Sequence, residues 1–188
     1  GWCLWVPCLL VGKDGLYHLL YSRRKTKLGY DAGCTHAEIA WAVSSKPEGP
    51  FEFRGTVLPQ RGAKFWDGHS VYNTCLIRIG DTFYLYYTGN RGTADWRPDR
   101  IIQGNSSEWW IHRNLQRIGV ATADSPGGPW QRLDQPIVDV GPGFGQTIVN
   151  VPVMIQKPDG GLRLYYKTLG EGPGKFAVSY THLRAHET

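Results

Sequence analysis

The chain repeats itself, and this repeat constrains the fold more than any other feature of the sequence. "EIAWAVSSKPEGPFEF" and "RIGVATADSPGGPWQR" align without a gap at a shift of 79 residues, so that Pro47 matches Pro126 and Phe51 matches Trp130. A second segment, "CLLVGKDGLYHLLYS", recurs as "CLIRIGDTFYLYYTG" and again as "VMIQKPDGGLRLYYK". We therefore predict one supersecondary unit that is built several times along the chain.

The repeated unit is predicted to consist of short strands. "DTFYLYYTG" alternates Phe83, Leu85 and Tyr87 against Tyr84 and Tyr86. A period of two is typical of a strand with two different faces. Gly, Pro and Asp turns separate such segments, and no segment sustains a helical period for three turns. Two hairpins, or four strands, make one unit.

A series of four-stranded units is typical of a β-propeller, whose blades bury their faces against their neighbours. An immunoglobulin-like sandwich also has many short strands, but it does not repeat an S-x-x-P-x-G-P-aromatic corner. We predict an all-β propeller fragment with one blade near residues 4–58, a second near 70–138 and the first hairpin of a third from about 148. About two and a half blades cannot close a ring, so the native protein is expected to be roughly twice as long.

Composition and charge point away from nucleic acid and membrane as partners. The formal net charge is +5, and its densest part is "SRRKTK", which we interpret as a solvated hairpin tip because the other basic residues are scattered. No apolar run approaches the ~20 residues that span a bilayer. The four cysteines form no C-x-x-C pair, and we expect Cys8 and Cys75 to be free thiols buried in apolar strands.

Five segments together resemble the five-bladed β-propeller glycosidases around glycoside hydrolase family 43. They are "YHLLYSRR", "THAEIAWAVSSKPEGPF", "LPQRGAKFWDGHSVYNT", "DTFYLYYTGN" and "RIGVATADSPGGPW". The resemblance implies hydrolysis of glycosidic bonds in plant or algal glycans by two carboxyl groups in a funnel at the ring axis, ~6.5–9.5 Å apart for inversion. It also implies a carbohydrate substrate, a monomer at full length, a secreted or periplasmic location, and an axial calcium ion whose ligands cannot be assigned to residues of this sequence.

The sequence departs from that family where the family places its general base, an Asp directly before Pro on the innermost strand of a blade. Here Val6 precedes Pro7, Val151 precedes Pro152, and Asn73 occupies the third such position without a proline. Three interpretations stay open: the base lies outside this sequence, other acids serve, or the protein is not a hydrolase. The rival functions are a non-catalytic carbohydrate-binding propeller and, less favoured, a propeller phosphorylase or lyase.

Two acids are candidates for catalysis. Asp67, in "FWDGHS", precedes an inner strand, and at the shift of 79 it matches Gln146, whereas a scaffold role would be expected to recur in both blades. The alternative is an Asp that holds its own turn before Gly68. Glu38, in "THAEIA", is the best partner acid, and its alternative is a strand-end Glu that pairs with an arginine.

The predicted substrate-binding residues lie around these acids and in the long loop between hairpins. "SSEWWIHRN" combines a carboxylate and two tryptophans, and aromatic rings stack on the apolar faces of pyranoses. The alternative is a loop that packs both tryptophans onto the outer blade. The full set is His36, His69, Asn73, Asn90, Arg91, Glu108, Trp109, Trp110 and His112.

The tail "VSYTHLRAHET" first suggests a metal pair, because His182 and His186 are four residues apart. All eleven residues, 178–188, also fit one reading frame of a transposon adapter used in sequencing libraries. We therefore predict residues 1–177 as the partial propeller domain and 178–188 as a non-native segment. No other spacing predicts a metal site.

Overall fold

The computed structural model describes residues 1–141, 147–169 and 176–183, and in them the fold is all-β. Three antiparallel sheets follow one another along the chain. A single α-helix, α1 (Ser107–Asn114), and two short 3-10 helices, Thr26–Leu28 and Tyr30–Cys34, lie in the connections. Within these ranges no helix is both long enough and apolar enough to span a membrane.

Each sheet is formed by consecutive strands in chain order. The first sheet contains β1 (Trp2–Val11), β2 (Tyr17–Lys25), β3 (Glu38–Ser44) and β4 (Glu52–Leu58). The second contains β5 (Ser70–Ile79), β6 (Thr82–Asn90), β7 (Arg117–Ala123) and β8 (Gln131–Arg132). The third contains β9 (Val149–Gln156), β10 (Leu162–Leu169) and β11 (Phe176–Leu183). It therefore has one strand more than the hairpin that the repeat predicts.

The sheets pack face to face through two hydrophobic cores. One core joins the first and second sheets around Leu20, Ile39 and Leu85. The other joins the second and third sheets around Tyr86 and Leu164. The middle sheet is thus buried on both faces, and β6 supplies alternate residues to the two cores, as its alternating sequence predicts.

Both copies of the repeated corner carry a glycine at the same position, and its backbone conformation explains why. Gly49 and Gly128 both have φ of 88°, in the region where residues with a Cβ are strained. The two corners therefore share one backbone conformation at the same place in the first and second sheets, which is why the S-x-x-P-x-G-P pattern recurs.

The first strand of each sheet carries the same irregularity. β1 contacts β5, and β5 contacts β9, so these three strands lie side by side across the sheets. Each contains one non-glycine residue with positive φ, at Val6 (45°), Asn73 (55°) and Val151 (53°), where the pairing with the next strand shifts register. Such bulges re-aim neighbouring side chains and are common beside active sites.

The bulges also join one sheet to the next. The backbone N–H of Asn73 donates to the Ser22 hydroxyl of the preceding sheet at 2.9 Å. The backbone N–H of Val151 donates in the same way to Thr88 at 3.0 Å. Equivalent hydrogen bonds between sheets therefore hold these strained residues in their positive-φ conformation.

Two local expectations need correction. "SSEWWIHRN" forms the helix α1 where a loop is predicted, because the Ser106 hydroxyl accepts the N–H of Trp109 and caps a helix too short to show periodicity. Arg23 and Arg24 are not a solvated tip: they lie inside β2 and are 9% and 5% exposed. The cysteines are free, as expected, but Cys8 and Cys75 are only partly buried.

The structure describes residues 178–183 of the C-terminal tail. Residues 178–183 continue β11 and pair with residues 162–167 of β10. Backbone pairing makes few demands on side chains, so the adapter origin of residues 178–188 stays a prediction. His186 and Gln146 lie outside the described residues.

Candidate carbohydrate-binding cavity

A cavity of about 350 Å³ opens beside the first two bulges. Trp5 and Tyr72, which directly precede the bulge residues Val6 and Asn73, form part of its lining. The remaining wall comes from the end of β2, from the 3-10 helix Tyr30–Cys34 and from Trp109 of α1. The cavity therefore lies where two sheets meet, and its volume lies within the range of small-molecule sites.

The walls of the cavity are largely aromatic. The rings of Trp5 and Tyr72 are 6.4 Å apart between centroids and are inclined at 51°. The indole N–H of Trp109 donates to the Asp31 carbonyl at 2.9 Å, which fixes this ring against the 3-10 helix. Tyr30 adds a ring that is 88% exposed at the rim. Flat apolar faces with few polar groups between them suit the stacking of a sugar ring.

Helix α1 is anchored by Glu108. Its carboxylate accepts two hydrogen bonds from Arg100, at 2.7 and 2.6 Å, and one from Thr93 at 2.8 Å. The hydrogen bonds from Arg100 lower the pKa of Glu108. Glu108 therefore positions Trp109 and does not itself line the cavity. Trp110 packs edge-on against Trp109 at 5.0 Å and is 42% exposed outside the cavity.

Four of the predicted binding residues meet in one buried cluster around Trp96. Its ring stacks between His36, at 5.2 Å, and His69, at 4.5 Å. The ring of His112 lies 6.3 Å from that of His69, and its Nδ1 lies 3.2 Å from the Asn90 amide oxygen. Burial lowers the pKa of all three histidines, that of His112 to about 4. The cluster is therefore neutral at pH 7.

This histidine cluster contacts the cavity wall through Asn90. The Asn90 amide donates to the Cys34 carbonyl at 2.7 Å, and Cys34 belongs to the cavity wall. Burial raises the pKa of the Cys34 thiol to about 12, so the wall carries no thiolate at neutral pH. His36, His69, Asn90 and His112 are predicted sugar-binding residues, but here their side chains contact Trp96, backbone carbonyls such as that of Cys34, or one another.

Asp67 is fully buried and makes ion pairs on both oxygens. Arg61 donates to Oδ1 at 2.6 Å, while the Tyr87 hydroxyl and Arg132 donate to Oδ2 at 2.8 and 3.3 Å. Arg132 belongs to β8, so this network joins the connection before β5 to the outer strand of the second sheet. In this arrangement neither oxygen is available to a ligand. The catalytic role of Asp67 stays a prediction that the geometry does not favour.

Glu38 is likewise an ion-pair partner. Its carboxylate accepts from Arg23 at 2.7 Å and from the Thr56 hydroxyl at 3.1 Å. This is the alternative that the sequence left open, a strand-end Glu paired with an arginine. Glu38 and Asp67 pair with different arginines, and neither lines the cavity.

The other two predicted residues fall in different places. Asn73 is the bulge residue itself, 9% exposed, next to Tyr72. Arg91 lines a separate cavity of about 220 Å³ with Trp66 and Arg117. Of the predicted residues, only Trp109 therefore lines the aromatic cavity.

The residues that sequence reasoning missed are Trp5, Arg24, Tyr30 and Tyr72. The repeat could have indicated two of them, because "WVPC" and "YNTC" align at the inner strands, so that Trp5 and Tyr72 occupy equivalent positions. Within the described ranges, no group of three or more His, Cys, Asp or Glu could hold a metal ion. The axial calcium that the resemblance implies therefore stays a prediction.

No family model and no curated protein sequence matches the chain. Solved structures do match. Zg3597, a family 117 glycoside hydrolase of the marine bacterium Zobellia galactanivorans, has 21% sequence identity and a TM-score of 0.70, covering 96% of this chain and 52% of its own. The endo-arabinase of Bacteroides thetaiotaomicron has 14% identity and a TM-score of 0.65, covering 96% and 51%.

A third structure is the GH43_1 enzyme of Xanthomonas citri complexed with xylose, at 18% identity and a TM-score of 0.63, covering 98% of this chain and 52% of that one. The chain thus spans about half the length of the structures it matches. At these identities the likeness shows the fold. The resemblance to five-bladed propeller glycosidases is confirmed at that level.

Proposed function

We propose that the chain belongs to a glycoside hydrolase of the five-bladed propeller type and that the aromatic cavity holds a sugar ring of its substrate. The observation that carries this proposal is the position of the cavity, beside two matched bulges and lined by Trp5, Tyr72 and Trp109. The structural neighbours, among them a xylose complex, support it.

We further propose that the described sheets are blades of a larger ring. Apolar side chains of β1 are exposed on the outer face of the first sheet, among them Leu4 at 57% and Val11 at 50%. A second cavity of about 350 Å³ on that face is lined by Pro7 and Phe53. In a closed ring, neighbouring blades would bury such faces. In this proposal residues 1–177 are the partial propeller and 178–188 are dispensable for sugar binding.

The catalytic carboxylates are proposed to come from blades outside this sequence. Hydrolysis needs two carboxyl groups on opposite sides of the sugar. Among the described residues, Asp67 and Glu38 are both engaged by arginines. A non-catalytic carbohydrate-binding propeller is the second candidate, and the observation that favours it is the absence of an acid at Val6, Asn73 and Val151.

Truncating the cavity tryptophan tests the proposed site. Trp109→Ala is expected to weaken oligosaccharide binding about tenfold, because it removes a stacking face from the cavity. Titration calorimetry with neutral oligosaccharides such as xylotriose measures the effect. Trp110→Ala, on the same helix but outside the cavity, is expected to change the affinity less than about twofold. Equal losses in the two variants would show that the binding site lies elsewhere.

Activity separates the two candidate functions. A full-length protein that contains this chain and releases sugar from a bound oligosaccharide is a hydrolase. One that binds the same oligosaccharide through Trp109 without releasing product is a binding propeller. The measurement is product release by chromatography, alongside calorimetry on the same sample.

A further inference from the structure

Two adjacent arginines of β2 are almost equally buried but have opposite surroundings. Arg23 is 9% exposed and fully compensated: it donates to Glu38 at 2.7 Å and to Thr56 at 2.8 Å. Its guanidinium also packs over Trp2, at 4.0 Å from the ring centroid. Arg23 is therefore a structural residue of the first sheet.

Arg24 is 5% exposed and has no such compensation. Within the described part of the chain, it makes no hydrogen bond and has no carboxylate within 4 Å. Its nearest ring contact is Tyr30, whose centroid lies 5.7 Å from the guanidinium carbon. The guanidinium nitrogens of Arg24 are not among the buried polar atoms that lack a partner in the described residues, so they reach the open cavity. A ligand in the cavity can therefore contact an arginine that no carboxylate of the described residues compensates.

Arg24 lines the aromatic cavity, opposite Cys3 in the register of β1 and β2. The one carboxylate in the cavity lining is Asp31, which is exposed and not within ion-pair distance of Arg24. Cys34, also in the lining, stays protonated because burial raises its pKa to about 12. The inner wall of the cavity therefore carries one fixed positive charge among aromatic rings.

We propose that the cavity binds a sugar that carries a carboxylate or a sulfate ester, with Arg24 pairing with the anionic group. This rests on the proposed function, since it takes the cavity to be the carbohydrate site, and it names the substrate class. Arginine suits the task because its planar fork donates two parallel hydrogen bonds to a carboxylate or sulfate. The aromatic walls would hold the ring that bears the group.

Calorimetry on the full 188-residue chain tests the proposal with three probes: a galacturonate trisaccharide, its methyl ester and inorganic phosphate. We expect the acid to bind roughly 10–100-fold more tightly than the ester, as a charge-assisted contact implies. Arg24→Gln should remove most of that difference. Arg24→Lys should retain part of it, and added salt should weaken binding of the acid only.

Lys25→Gln is the matched control, because it removes the same charge from an exposed neighbour on the same strand. It should leave all three affinities unchanged. Arg24→Gln should unfold at a urea concentration no lower than that of the parent, since it breaks no ion pair or hydrogen bond of the described residues, whereas loss of a structural arginine would lower that midpoint.

Each adverse outcome is distinct. Equal affinities for acid and ester, or an Arg24→Gln variant that keeps the difference, overturn the anionic-sugar proposal and leave the sugar site standing. Phosphate that binds as tightly as the acid overturns the sugar part and shows a simple anion site. If xylotriose binds and neither galacturonate saccharide does, the anionic-sugar proposal fails and the sugar site stands, whereas if no saccharide binds, the proposed sugar site itself fails.

Discussion

Replacing Asp67 with asparagine is expected to lower the free energy of unfolding by about 3 kcal/mol, because two largely buried arginines lose their counter-charge. Asp67 is 0% exposed, and the side chains of Arg61 and Arg132 are 19% and 8% exposed. Tyr87 donates its hydroxyl to the same carboxylate. Asparagine keeps the shape but offers one acceptor oxygen and no charge, so Arg132 loses its carboxylate partner and Arg61 keeps only the exposed Asp134.

Asp134→Asn is the control for this prediction. Asp134 pairs with the same Arg61 at 3.1 Å, but its side chain is 76% exposed. Its loss is expected to change the stability by less than about 1 kcal/mol, as for other exposed ion pairs. Urea unfolding measures both variants. If Asp67→Asn were as stable as the parent and had lost only its activity in the full-length protein, Asp67 would be the catalytic acid that the sequence predicts.

Acidification is expected to destabilise the fold by about 3 kcal/mol through His112 alone. Burial lowers its pKa from 6.5 to about 4 in the folded protein. The unfolded chain therefore binds the proton more readily. The stability is fully present above pH 6.5 and is lost progressively as the pH falls towards 4. His69 and His36 act in the same direction, since burial lowers their pKa values too, whereas the nearby Glu108 carboxylate favours protonation of His112.

The pH dependence separates this effect from general acid unfolding. His112→Gln should be less stable at pH 7.5, because it loses the contact with Asn90, but its stability should fall less between pH 7.5 and pH 5 than that of the parent. His182→Gln, at an exposed position of β11, should keep the parent's slope. Urea midpoints at the two pH values provide the measurement. Identical slopes in the parent and His112→Gln would rule out His112 as the source.

Much of the fold was predictable because each copy of the sequence repeat corresponds to one antiparallel sheet. Alternation in β6 identified two buried faces, and the repeated corner identified equivalent places in two sheets. The predictions that failed concern local structure. The helix α1 spans eight residues, which are too few to show a helical period, so the Ser106 cap is its one indication in the sequence. The burial of Arg23 and Arg24 could not be predicted because a run of basic residues has the same sequence pattern whether it is solvated or packed against other side chains.

The site was harder to predict for a physical reason. A unique buried acid has the same sequence signature whether it works in catalysis or compensates arginines, so Asp67 and Glu38 could not be distinguished from true catalytic acids. Only their partners, which come from distant strands such as β8, separate the two roles. Trp5 and Tyr72 could not be predicted because an aromatic residue before a bulge has the same sequence pattern whether it packs in a core or lines a cavity, as these two rings do.

Mapping a bound oligosaccharide by the indole N–H resonances of the tryptophans tests most directly whether the aromatic cavity is the carbohydrate site. Trp5 and Trp109 line that cavity, whereas Trp66 stacks on Tyr87 away from it. In a titration with a saccharide that binds in calorimetry, we expect the signals of Trp5 and Trp109 to shift together and to saturate, with Trp66 unchanged. Shifts confined to Trp66, with Trp5 and Trp109 unmoved, would contradict the assignment.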